Sequence, residues 1–226
     1  MSVTGILLLA GNSTRYNKNI NKNLELLNNQ YIFLYSLNVF DKCNLIDEII
    51  LVIRELDKEI LENIINKINF HKSIKLVVGG QTRMESVYNA LNSTNSNIVV
   101  IHDAARPMIK EQYIVDGIKA MKDYFGAITG VISKDTIKIT NEHNEIISST
   151  NRSNTYIAQT PQIFDRKLLL DLHNKYKNDL SITDDSILLE KENYKVKIIN
   201  GDYTNIKITT KEDLIIAKEL IKITCK

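Results

Sequence analysis

Ala10-Gly11-Asn12-Ser13-Thr14-Arg15 follows an apolar run that begins at Gly5, and Lys18 and Lys22 come soon after. Small residues let backbone N–H groups approach a polyphosphate closely, and Arg15 would add a permanent charge with forked donors. In open α/β sheets ligands collect at the carboxyl ends of strands, where this loop would stand. The segment is not a P-loop, because no Gly-Lys-Ser/Thr follows. Nor is it G-x-G-x-x-G, because Ser13 takes the place of the second glycine. Taken alone it reads equally as a strand-to-helix turn with a solvated arginine, and each lysine reads as a surface charge.

Other polar clusters stand further along. Gly79-Gly80-Gln81-Thr82-Arg83-Met84-Glu85-Ser86-Val87 is one, His102-Asp103-Ala104-Ala105-Arg106-Pro107 a second, and Gln159-Thr160-Pro161-Gln162 a third. Thr183-Asp184-Asp185 and Asn205-Ile206-Lys207-Ile208-Thr209-Thr210 complete the set, and both prolines of the chain, Pro107 and Pro161, lie inside it. His102 reads as a strand-end residue that orients its loop. Asp103 suits a ribose or a metal with its waters, or a structural role. Thr183, Asp184 and Asp185 read equally as a helix N-cap with its acids.

The elements that must position these groups are legible as short apolar runs at Gly5–Ala10, Glu48–Ile53, Ile74–Val78, Ile98–Ile101 and Ala127–Ile132. They are continuous rather than alternating, as in strands covered on both faces. Between them, Ile32, Tyr35, Ser36 and Val39 make one helical face, and Ile60, Ile64 and Ile68 another. Val87 with Leu91, then Ile114, Ile118 and Met121, continue the series. Strand alternating with helix predicts an α/β, mostly parallel sheet with helices on both faces. The alternation breaks after Ser133, where Thr136–Thr140 and Glu145–Thr150 flank a polar Asn141-Glu142-His143-Asn144 and predict a hairpin. Helices are expected at Arg166–Lys175 and Asp184–Glu192, a strand at Lys195–Ile199, and a last helix from a capping Thr210 to about Ile223. No repeat or linker interrupts the pattern. The expectation is one domain over residues 1–226, with a β-arm inserted at about 134–154.

Composition narrows the classes. With 226 residues, 43% hydrophobic and 25% charged, the chain can bury a large core. A net charge of +2 implies neither nucleic acid nor membrane as a partner, so any phosphate must be held by locally placed cations and N–H groups. Cys43 and Cys225 form no CxxC pair, and His71, His102, His143 and His173 show no ligand spacing, as in a reduced cytoplasmic chain. Val3–Ala10 is too short, and lacks the flanks, for a signal peptide. No run approaches the ~20 apolar residues of a membrane span.

In their order along the chain, Leu9-Ala10-Gly11, Arg15, Lys22 and the clusters above resemble the 2-C-methyl-D-erythritol 4-phosphate cytidylyltransferases of the non-mevalonate isoprenoid pathway. The resemblance runs from about Ile6 to the last helix. It implies a Rossmann-like α/β domain, a projecting β-arm that helps form a homodimer, dependence on Mg²⁺ bound mainly through the CTP phosphates, and transfer of CMP from CTP to a polyol phosphate with release of pyrophosphate. Arg15 and Lys22 would then hold the CTP phosphates and stabilise charge at the α-phosphorus. Ala10 and Gly11 would pass close to the nucleotide, and Gly80, Gln81 and Ser86 would read cytosine. Asp103, Ala104 and Arg106 would stand near the ribose and acceptor. Thr136, Thr160 and Thr183 match acceptor-side and phosphate-side positions, and Arg152 with Lys207 would place the incoming phosphate. No resident metal site is implied.

The chain departs from the family at Ser13, at Tyr16, and at Asn21-Lys22-Asn23-Leu24, where Pro-Lys-Gln-Phe is usual. Ribitol-5-phosphate cytidylyltransferases share the donor and most motifs, but their strand-end motif tends toward His-Asp-Ser-Val-Arg-Pro. A non-catalytic CTP-binding protein is opposed by the cations kept on the acceptor side, and an NAD-dependent dehydrogenase by the missing glycines. Such a transfer needs no Ser/His/Asp set, because the nucleophile is already an anionic phosphate oxygen.

Overall fold

The computed structural model describes residues 1–11, 21–179 and 181–224. β1 (Val3–Leu8) is followed by a 3-10 turn at Lys22–Leu24, the two-residue strands β2 (Leu26–Leu27) and β3 (Gln30–Tyr31), and α1 (Ile32–Lys42). Then come β4 (Glu48–Ile53), α2 (Lys58–Ile65), β5 (Ser73–Val78), α3 (Arg83–Leu91), β6 (Ile98–Asp103), α4 (Glu111–Ala120) and β7 (Gly126–Ile132). A ribbon of β8 (Lys138–Thr140) and β9 (Ile146–Ser149) precedes β10 (Tyr156–Asp165), α5 (Arg166–Lys175), α6 (Asp185–Lys191), β11 (Val196–Asn200) and α7 (Lys211–Thr224).

Seven strands form one sheet in the order β11-β7-β10-β6-β1-β4-β5. All neighbours are parallel except β10, which runs antiparallel to both β6 and β7. The sheet class is the one the sequence predicts, but β10 is an addition. Its apolar residues are interrupted by Gln159, Pro161 and Gln162, so no continuous run marks it. Proline cannot donate to a ladder, and here the register shifts between Ala158 and Gln162, so that Pro161 sits in an irregular stretch of the strand. The Thr160–Pro161 peptide is cis.

One face of the sheet packs Phe33, Leu37 and Phe40 of α1 and Ile114 of α4; the other packs Val87, Leu169, Leu172, Leu188 and Leu189 from α3, α5 and α6. Phe33, Phe40 and Phe164 are completely buried, each stabilising the fold by about 2–3 kcal/mol. Two expected helical faces are rearranged. On α2 the buried residue is Leu61, with Ile64 and Ile65 beside the core, an i, i+3, i+4 stripe; Ile60 is exposed, and Ile68 lies beyond the helix. On α1, Ile32 and Tyr35 turn away from the sheet to pack against α7. α1 is thus covered on two sides.

The expected hairpin forms, with tighter bounds. In place of an Asn-Gly turn, the Asn141 side chain accepts the N–H groups of His143 and Glu145, and Asn144 takes φ of 62°. The last helix starts as expected: Asp213 reaches back to the Thr209 and Thr210 N–H groups while Thr210 accepts the Asp213 N–H. Among the described residues no helix is long and apolar enough to cross a membrane.

Candidate active site at the carboxyl ends of the strands

A cavity of about 290 Å³ opens where β1, β5 and β6 end. One wall is backbone-rich. Ala10 and Gly11, just past β1, line it together with Gly80, Gln81, Thr82 and Ser86. Thr82 caps α3 by accepting the Glu85 N–H at 3.1 Å, and the Glu85 carboxylate accepts the Gln81 N–H at 2.6 Å. Ser86 donates to the Thr82 carbonyl and accepts the Gly80 N–H at 3.1 Å. Cap and hydroxyl together fix the Gly79–Thr82 loop. A Cβ on Gly79 would come within 2.7 Å of both Ala10 Cβ and Ser86 Oγ, and one on Gly80 would collide with Glu85. Glycine is required here by close approach.

Lys22 and Asn23 close the adjoining side. Asn21 accepts the Asn23 N–H and donates Nδ2–H to the Leu9 carbonyl and, at 2.7 Å, to Asp57. Asn23 donates to the same carbonyl. The two asparagines that depart from the family's usual residues therefore clamp the Lys22 turn onto the end of β1. Arg15, Ser13, Tyr16 and Lys18 lie outside the described residues.

The opposite wall is built from buried charge. The Asp103 carboxylate, at the last residue of β6, lies 2.7 Å from Lys207 Nζ and 3.9 Å from Arg106 Nε. Burial works against its charge, but Lys207, Arg83 and Arg106 hold its carboxyl well below the ordinary carboxylate range. Asp103 donates its N–H to Thr160 Oγ1. Thr160 in turn lies 2.9 Å from His102 Nδ1, and His102 Nε2 lies 3.2 Å from the Arg106 carbonyl. A carbonyl can only accept, so Nε2 carries the proton and Nδ1 accepts from the threonine. Burial pushes the His102 pKa down to about 3, leaving a neutral ring that braces the loop. Arg106 Nη1 donates to the Asn205 carbonyl at 2.8 Å, and Asn205 Nδ2 donates to the Thr160 carbonyl and Gln159 Oε1. Three separate sequence clusters thus form one hydrogen-bonded knot.

Of the residues singled out in the sequence, Ala10, Gly11, Lys22, Gly80, Gln81, Ser86, Asp103 and Lys207 line this cavity. Thr160 and Arg106 lie behind it as parts of the knot. Ala104 is buried in the core, and its neighbour Ala105 is the one in the lining. Thr183 is exposed one residue before Asp184, the N-cap of α6. Thr136 and Arg152 are exposed at the root of the arm and do not line the cavity of their own chain. Thr82, Arg83 and Thr209 also line it, without having been given a role. The spacing Thr82-x-x-Glu85 was the available signal for the first. Among the described residues no group of three or more His, Cys, Asp or Glu could hold a metal.

The family model for 2-C-methyl-D-erythritol 4-phosphate cytidylyltransferase matches residues 3–222. The chain is 45% identical over 219 residues to the enzyme of that name from Clostridium tetani, covering 96% of this chain and 89% of the relative. To the one from Clostridium botulinum it is 41% identical over 220 residues, 96% of each. A solved structure, the 4-diphosphocytidyl-2C-methyl-D-erythritol synthase of Anaerococcus prevotii, superposes with a TM-score of 0.87 at 34% identity, covering 98% of both chains. Family model, sequence relatives and fold all agree along nearly the full length, and the chain belongs to the 2-C-methyl-D-erythritol 4-phosphate cytidylyltransferase family.

Proposed function

We propose that this cavity transfers CMP from CTP to 2-C-methyl-D-erythritol 4-phosphate and releases pyrophosphate, a step of isoprenoid precursor synthesis. The observation that carries the reading is the pairing of walls: a backbone-rich loop for a nucleotide and, facing it, Lys207 held by Asp103 for a second anion. The acceptor phosphate oxygen is already anionic, so no side chain need remove a proton. The barrier lies in bringing two polyanions together and in stabilising charge at the α-phosphorus. Lys22 and Arg15 are assigned the CTP phosphates, each such donor being worth ~3–4 kcal/mol at the transition state. Lys207 and Arg152 are assigned the acceptor phosphate, with Thr136 and Thr183 around it and Thr160 and Arg106 bracing that side from behind; Asp103 is assigned the ribose side, with Ala105 lining it in place of the buried Ala104.

The base is assigned to Gly80, Gln81 and Ser86. The Gly80 and Gln81 N–H groups are both engaged within the loop, which favours reading of the cytosine amine by carbonyl oxygens. Uracil presents an acceptor there, and such a mismatch can discriminate by ~10⁴ in kcat/KM.

Asp103 is the carboxylate among the described lining residues, and one carboxylate suits a Mg²⁺ that keeps substrate phosphates and waters as its other ligands. When bound, such an ion neutralises charge on the triphosphate. The chain is proposed to act as one nucleotidyltransferase domain over residues 1–226, as a homodimer through the arm at about 134–154. Exposed Ile137, Ile139, Ile146 and Ile147 on that ribbon support the dimer, since a lone two-stranded ribbon is marginal in water. Both substrates are phosphorylated metabolites, which supports a cytoplasmic setting.

The test is product identification with CTP and either 2-C-methyl-D-erythritol 4-phosphate or ribitol 5-phosphate. The expected product is the CDP-linked methylerythritol, with ribitol phosphate a poor substrate. Equal kcat/KM for the two acceptors would overturn the acceptor assignment.

A further inference from the structure

Among the described residues, Arg83, first residue of α3, is the cavity cation left without a task. Its Nη1 lies 2.7 Å from Asp185 Oδ2 at the start of α6. Asp185 is 2% exposed, and its other oxygen lies 3.2 Å from Nε2 of the buried His173 on α5. Asp185 Oδ2 is buried, and this close ion pair with Arg83 supplies its countercharge. The guanidinium is therefore tethered by charge, while its side chain stays 30% exposed at the cavity. It stands between the Gly80 loop and Asp103, whose carboxylate it also stabilises. A cation half neutralised from behind suits a partly charged ligand group better than a triphosphate tail, and a guanidinium has donors enough to serve both sides.

We propose that Arg83 is a further nucleotide-contacting residue that holds the sugar and α-phosphate of CTP, with Asp185 and His173 as the positioning residues that fix it. The inference rests on this cavity being the CTP site. It explains why a buried aspartate and histidine lie behind a half-buried arginine, where a purely structural ion pair gains little.

Calorimetric binding of CTP, CMP and pyrophosphate to the full chain tests it. Arg83→Gln alone would leave Asp185 buried and unpaired, so the variant to use is Arg83→Gln with Asp185→Asn. Arg83→Lys keeps the charge beside Asp185 and serves if the double variant does not fold. In whichever folds, the dissociation constants of CTP and CMP should rise about tenfold or more, because neither an amide nor a point charge replaces the fork, while that of pyrophosphate stays within twofold. CTP and CMP within twofold of wild type, or pyrophosphate weakened as much as CTP, would overturn the inference. A wild-type chain that binds no CTP would instead remove the assignment of the cavity.

Discussion

At the end of β6, His102, Asp103 and Thr160 are buried, and each has its charge or its hydrogen bonds met by another part of the same chain. On the ribbon of β8 and β9 the reverse holds: Ile139, Ile146 and Ile147 are 49%, 64% and 65% exposed. The knot is formed within one copy of the chain. The arm carries apolar surface that one copy does not cover, and its root bears Arg152 and Thr136, which do not reach their own cavity. Only its base is tied down: Tyr203 donates to the Ile132 carbonyl, and Lys134 lies 3.6 Å from the Tyr203 ring centre. The contrast fits the proposed dimer: cavity walls built within one chain, and an arm whose Arg152 and Thr136 would be brought to the site by a second copy.

The largest effect is expected where a cation assigned to a substrate phosphate is removed. Lys22→Ala, Arg15→Ala and Lys207→Ala should each lower turnover ~10²-fold or more. Lys207→Ala should also lower stability, since it strips Asp103 of its nearest cation. Near-normal steady-state rates in all three variants would detach the cavity from the chemistry.

Next comes the arm. Replacing Ile139–Ile146 by a short turn should give a monomer in light scattering that binds CTP normally but transfers at least ~10-fold more slowly, as for a lost positioning cation. A fully active monomer would end the idea of a shared site.

A smaller change would sharpen the side built within one chain. Gly80→Ala drives a methyl group into Glu85 and breaks the clamp on the Gln81 N–H. CTP binding should weaken about tenfold, or ~1.4 kcal/mol, with acceptor KM unchanged. Unaltered CTP affinity would show that the loop need not be tight.

The smallest effect concerns His102. Its folded pKa of about 3 lies below the ordinary value, so between these limits the unfolded chain binds a proton that the folded chain does not. Stability should therefore fall as pH drops below about 6.5, by up to ~1.4 kcal/mol per pH unit. Denaturant melts of His102→Gln should lose much of that slope between pH 6.5 and 5; an unchanged slope would put the titrating group elsewhere.

What could be read from the residues divides along the same line. The parallel strands were legible because each is a continuous apolar run, and the cavity residues because they fall in compact clusters after those runs. β10 was not legible, since Gln159 serves the knot, Gln162 bonds the α6 cap Asp184 and Pro161 sits at the register shift, and together they erase the apolar pattern. The knot itself was hidden because Asp103, Thr160 and Asn205 are far apart in sequence, and nothing local says that they meet. Ile60 in the second helix and Ile68 beyond it misled for a plainer reason: helical spacing names candidate faces, and packing against the sheet chose the one with Leu61.

The most direct test mixes two defective chains. A Lys22→Ala chain keeps an intact arm, and an Arg152→Ala chain keeps an intact cavity. If each arm serves the neighbouring copy, random reassortment into dimers makes half of them mixed, each with one intact site of two. A shared site therefore predicts recovery of about a quarter of wild-type activity from an equal mixture of chains that are inactive alone. No recovery, with mixed dimers demonstrated by mass, would mean that Arg152 serves its own cavity or none.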